Sequence, residues 1–178
     1  MTLEEMVREF IEIYRPKGRE ELAFFSTRPF DIALDYAALA KDSRGKRFSH
    51  QRRLKRKNLE LAKKFLMEKK DEFEKTKSFE AVFKIVQQIT SAISGLGELY
   101  TYDTALRISV AIKHEPIHVY LHAGTRVGAK KIDIDGRRSY VSMAELSKEL
   151  QILDAHEVEN FLCIYKNELG SVTKRKNN

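Results

Sequence analysis

The stretch Ile93-Ser94-Gly95-Leu96-Gly97-Glu98-Leu99 joins two runs of helical apolar spacing, and its reading decides the fold class. Before it, Phe79, Val82, Phe83, Val86 and Ile89 recur along one helical face; after it, Thr101, Ala105, Ile108 and Ile112 continue at helical intervals. A Gly-hydrophobe-Gly turn between two helices leaves the first backbone N–H groups of the second helix unblocked, a geometry suited to a phosphate. Working outward from this turn gives a mainly α protein: a single helical domain over residues 1–170, a basic flexible tail over 171–178, and one short β-hairpin near residues 132–141.

Composition supports that class. A chain of 178 residues with 42% hydrophobic content is long enough for one core. Eight Gly and three Pro are too few for an all-β sandwich with its many turns. The single Cys163 excludes an intramolecular disulfide and, within Phe161-Leu162-Cys163-Ile164, is expected as a buried, inert thiol. No apolar run approaches membrane-spanning length, and the amino terminus is acidic and amphipathic, unlike a signal peptide. The expectation is a soluble cytoplasmic or nucleoid-associated protein with no membrane partner and no cofactor.

Charge is unevenly placed. Lys41 to Lys57 holds nine Lys/Arg and one acid, Asp42, for a local charge of +8; the whole chain carries +7, so the remainder sums to −1. A cationic segment on a near-neutral body predicts a docking surface. Lys46, Arg47, Arg52, Arg53 and Arg56 are the expected contacts, since guanidinium forks suit phosphate oxygens. Nucleic acid, foremost DNA, is the expected partner; an acidic protein held by a helical adaptor is the non-nucleic-acid reading.

Along the chain, Thr2 with Glu5 forms a capping-box signature, and Pro16-Lys17-Gly18 is expected to end the first helix. A short helix is expected over 20–25. Pro29 opens the next, with Phe30, Ala33, Leu34, Ala37, Ala38 and Ala40 as a small-residue packing face. A basic loop over 41–49 leads to a long charged helix over 51–75, with Leu54, Leu61, Phe65 and Leu66 inward. Residues 117–121 fit a short strand or a first helical turn, and Asp135-Gly136 signals the turn of the expected hairpin. Ser142 with Glu145 and Asp154 with Glu157 cap the last helices.

Ile93, Gly95, Leu96, Gly97 and Thr101 together resemble the helix-hairpin-helix motif of DNA-binding proteins, with Thr101 where alanine is usual. The resemblance implies that the backbone of Gly95, Leu96 and Gly97 holds a DNA phosphate without reading sequence. Residues 89–132 also resemble base-excision DNA glycosylases of that superfamily, Pro116, Val119, His122 and Arg126 following in the family's order. The family's catalytic Asp position falls near Tyr120 or Leu121, and its lyase-type Lys position near Asp103. The resemblance thus adds Arg126 to the DNA contacts and implies a fold and a DNA contact more than base excision.

Other chemistry uses histidine. His114-Glu115-Pro116-Ile117-His118 matches the H-E-x-x-H zinc pattern, but Pro116 breaks the helix such a site needs, so no metal site is expected. Arg44 with His50, and Arg107 with His114, have spacings that resemble the Arg-x(4–6)-His motif of HEPN ribonucleases, in which histidine would serve in acid–base chemistry. His50, Asp103 and His122 are the candidates for chemistry on a bound strand. Tyr100 or Tyr102, beside the glycine turn, is a candidate for base stacking.

Overall fold

The structure, a computed structural model, describes residues 1–170; the expected basic tail over 171–178 lies outside the described residues. The chain begins with α1 (Leu3–Glu9), started by a complete Thr2–Glu5 capping box, and a π-helical segment, Phe10–Tyr14, then leads directly into α2 (Arg15–Thr27). Pro16-Lys17-Gly18 therefore does not end the helix. Proline lacks an N–H and its ring collides with the carbonyl four residues back. Immediately before it the ladder widens to the π register, the Arg15 N–H bonding the Phe10 carbonyl, and the helix passes through.

The backbone forms two compact units, one of Arg19–Glu115 and one of Met1–Gly18 with the described residues from Pro116 on. No linker marks either boundary in the sequence: the first falls inside α2.

Arg19–Glu115 is helix and turn apart from an isolated antiparallel bridge between Lys41 and Arg47. α3 (Phe30–Ala38) follows Pro29 and buries Ala33, Leu34, Ala37 and Ala38, the small-residue face expected of it. The long helix expected over 51–75 is instead a 3-10 turn (Ser49–Gln51), α4 (Arg56–Glu68) and α5 (Lys70–Lys75). Two apolar stripes compete on α4. The one that wins is Leu59, Ala62 and Leu66, continued by Phe73, while Leu61 and Phe65 remain partly exposed. α6 (Phe79–Ser91) starts at the Ser78 cap, and α7 (Glu98–Ala111) follows the glycine turn. α7 packs against both α3 and α6 and is buried along most of its length.

The other unit gathers α1 with β1 (His118–Tyr120), α8 (Ala123–Lys131), β2 (Tyr140–Ser142) and α9 (Ala155–Ile164). The expected strand near 140 is present. Its antiparallel partner is β1, Val119 opposite Val141, and α8 lies between the two strands in sequence, so Asp135-Gly136 turns the chain without joining paired strands. Ser142–Glu145 opens only a 3-10 turn, whereas Asp154–Glu157 caps α9. Val119, Val141, Leu150, Val158 and Phe161 form the core with Met6 and Phe10. α8 crosses α9 at Gly124 and Gly128, where a Cβ would lie 2.7 Å from the Cys163 sulfur and 2.1 Å from the Leu162 carbonyl oxygen respectively. Cys163 is only half-buried, its sulfur filling the space that glycine leaves. Among the described residues, no helix is long and apolar enough to cross a membrane.

Candidate nucleic-acid interface

The glycine turn is built by its neighbours on α6 and α7. The Ile93 N–H bonds the Thr90 carbonyl and the Leu96 N–H bonds the Ile93 carbonyl, closing the end of α6. Buried Ile93 anchors the turn, leaving Gly95 and Gly97 at the surface and Leu96 half-buried. Gly95 has φ +90°, a left-handed conformation that side chains disfavour. Gly97 is the N-cap of α7, with no side chain closing the helix start and open space where a Cβ would point. Thr90 and Thr101 hydroxyls, 2.7 Å apart, tie the two helices together beneath it. Thr101 also donates to the Gly97 carbonyl at 3.1 Å.

The basic segment belongs to the same unit and touches the turn. Asn58, in the first turn of α4, donates from Nδ2 to the Ser94 carbonyl at 2.7 Å. A Cβ on Gly95 would come within 2.9 Å of that nitrogen, so the glycine makes room for the bond. Lys55, Arg56 and Lys57, immediately before Asn58, are exposed, and Lys55 caps α4 without a side-chain bond to its backbone. Cations at a helix start oppose the macrodipole, and an anion there offsets the repulsion. Lys46, Arg52 and Arg53 are also exposed.

Not every expected cation is free. Arg47 donates to the Leu54 carbonyl at 3.2 Å and holds the loop. Arg44 pairs with Asp42 at 2.8 Å, and their hydrogen bond draws the Asp42 carboxyl below its ordinary range. Arg52 and Arg53 sit in the turn after the 3-10 segment, not on a helix begun at Gln51. Arg126 lies half-buried on α8, in the other unit.

Two of the candidates for chemistry meet. His50 Nε2 and Asp103 Oδ2 are 2.8 Å apart, and a carboxylate accepts only, so Nε2 carries the proton. Gln51 Nε2 donates to the same oxygen at 2.9 Å and Arg107 Nη2 to it at 3.4 Å. Arg107 in turn donates to Gln51 Oε1 and stacks its guanidinium 3.9 Å above the Phe48 ring. Burial pushes the Arg107 pKa down, against the pull of Asp103. The His50 side chain is 46% exposed and Asp103 14%.

His122 takes the opposite form. In the other unit it occupies the N-cap position of α8, 4% exposed and paired with Glu159, and Thr125 bridges the two at 3.2 and 3.0 Å. Such a satisfied, sealed network is a structural element rather than a reactive one. His114 is likewise occupied, its Nε2 3.0 Å from the Thr76 carbonyl. α7 ends at Ala111, so the H-E-x-x-H segment lies on no helix. Tyr100 and Tyr102 are both buried; Tyr100 donates to the Ala38 carbonyl, and burial pushes its pKa up to about 12. Neither is placed to stack on a base.

Sequence reasoning missed Asn58, the bond from Gln51 to Asp103, and the Asp103–Arg107 pair. An i, i+4 acid–base pair on one helix was the available signal for the last; the others depend on contacts across 36 and 52 residues. Compared with family models, with curated proteins and with solved structures, the chain matches none of them.

Proposed function

We propose that this protein binds the sugar-phosphate backbone of a nucleic acid through the glycine turn and the start of α4. One observation carries the reading: the Asn58–Ser94 hydrogen bond sets an exposed basic segment directly against an exposed, uncapped glycine turn. A phosphate at Gly97 meets backbone N–H donors, while Lys55, Arg56 and Lys57 supply charge for its neighbours along the strand. The recognised feature is the backbone, because both tyrosines at the turn are consumed by the core. Glu98, exposed in the first turn of α7, takes the place that suits an acid.

Electrophoretic binding at low salt to duplex DNA, single-stranded DNA and RNA tests the reading. The expected result is a shifted complex, weakened at least tenfold by Arg56→Glu with Lys57→Glu and nearly unchanged by Arg137→Glu, an exposed cation of the other unit paired with Asp135. No complex with any strand, or equal loss in both variants, overturns it.

A further inference from the structure

The His50–Asp103 pair has the construction of a general base rather than of an anchor. Asp103 fixes Nε2–H, which leaves Nδ1 with a free lone pair. Nδ1 has no partner among the described residues, and the ring edge it occupies belongs to a side chain that is nearly half exposed. The orienting carboxylate is itself held from the core side by Gln51 and Arg107, so the imidazole is positioned by a second layer of bonds. His122 shows what a purely structural histidine–carboxylate pair looks like in this same chain: sealed, and bridged by a threonine.

A base needs a nucleophile. No serine, threonine or cysteine of the described residues bonds Nδ1, which leaves it open to a hydroxyl of the ligand. On a backbone-binding surface one ligand hydroxyl adjoins a phosphodiester: the ribose 2′-OH. Arg52 and Arg53 follow His50 by two and three residues and are exposed. Their backbone thus lies within about 11 Å of it, inside the reach of a guanidinium that meets a phosphate next to the base.

Resting on the backbone-binding reading above, we infer that the His50 site cleaves bound RNA by internal transesterification. His50 Nδ1 takes the 2′-OH proton, O2′ forms a bond to phosphorus, and the P–O5′ bond breaks. The departing O5′ takes a proton from water, and the hydroxide so formed is neutralised by the proton that His50 releases. The products are a 2′,3′-cyclic phosphate and a 5′-hydroxyl; water is regenerated and nothing else is consumed. Arg52 and Arg53 offset the charge that builds on the phosphoryl oxygens. His50 is the catalytic residue; Asp103, Gln51 and Arg107 are positioning residues.

The test uses the full chain, a fluorescent single-stranded RNA, and the matching DNA and 2′-O-methyl strands, with binding and product analysis run in the same tubes. Expected are RNA fragments bearing cyclic phosphates, no cleavage of the other two strands, and a loss of at least 100-fold in His50→Gln, the scale of general-base catalysis. Asp103→Asn lowers kcat with KM unchanged, a split that mere loosening of the loop does not give; thermal unfolding confirms that both variants fold. RNA bound but left intact over hours overturns this inference and leaves the binding reading standing. RNA left unbound while DNA binds overturns this inference alone; no binding to any strand overturns both. Cleavage of DNA, or undiminished cleavage by His50→Gln, contradicts the 2′-OH route.

Discussion

Gly95 and Gly97 stand at the surface of one unit, whereas Gly124 and Gly128 of the other lie against α9, and the histidine–carboxylate pairs divide in the same way. His50–Asp103 keeps one ring edge in solvent; His122–Glu159 is closed over by Thr125. Identical residue types thus do opposite work. In the unit containing α8 and α9, glycine brings two helices together and histidine satisfies a buried carboxylate. In the unit containing α4 and α7, glycine opens a turn and histidine faces outward. Residue type and spacing do not separate these roles; the second layer of contacts does.

The widest gap between the two units is expected at histidine. His122→Ala strands the Glu159 carboxylate in the interior and costs about 3 kcal/mol, whereas His50→Ala removes a half-exposed pair worth about 1 kcal/mol or less. Urea unfolding of the two variants measures the difference, and equal losses would erase the contrast. Glycine sharpens it next. In Gly128→Ala the new methyl meets the backbone of Leu162, and overpacking of that kind costs about 2–3 kcal/mol. Gly97→Ala enters open space and stays within about 1 kcal/mol, the scale of an N-cap change. Similar unfolding midpoints for these two variants would mean that the α8–α9 crossing yields more readily than its geometry implies.

A smaller effect concerns acid. Arg138 holds the Glu145 carboxyl down to about 2, and hydrogen bonding to Arg137 holds Asp135 at about 2. Both carboxyls are depressed in the folded state. Their contribution is therefore complete above the ordinary carboxylate range near 4 and is lost as pH falls toward 2. Glu145→Gln should flatten the acid limb of the thermal midpoint against pH over that interval, while leaving the glycine turn unaffected. An unchanged acid limb would remove this pair from the account of the α8–α9 unit.

Much of this architecture was legible in local pattern. Pro29 with the alanine face of α3, the Ser78 cap of α6 and the Asp154–Glu157 box of α9 each act within a few residues of themselves. What stayed hidden was decided by distant partners. On α4, Leu61 and Phe65 are as apolar as Leu59 and Leu66, and only packing chooses between the stripes. Pro16 stops a helix unless the preceding turn widens, which no local rule announces. β1 and β2 pair across the whole of α8, a register that turn chemistry at Asp135-Gly136 does not encode. At the candidate site, Gly95, Gly97, Lys46 and Arg52 are exposed, but spacing does not distinguish Arg47 and Arg126 from them. A loop carbonyl takes the first and helix α8 carries the second into the other unit.

The central claim is that the glycine turn and its flanking cations form one backbone-binding surface, and the salt dependence of binding tests it most directly. Each phosphate contact contributes about −0.9 to the slope of log K against log salt for duplex DNA and about −0.7 for a single strand. Arg56→Gln with Lys57→Gln should therefore make the slope shallower by about 1.8 or 1.4 respectively. A slope unchanged from the wild type, or no measurable binding at low salt, would contradict the account.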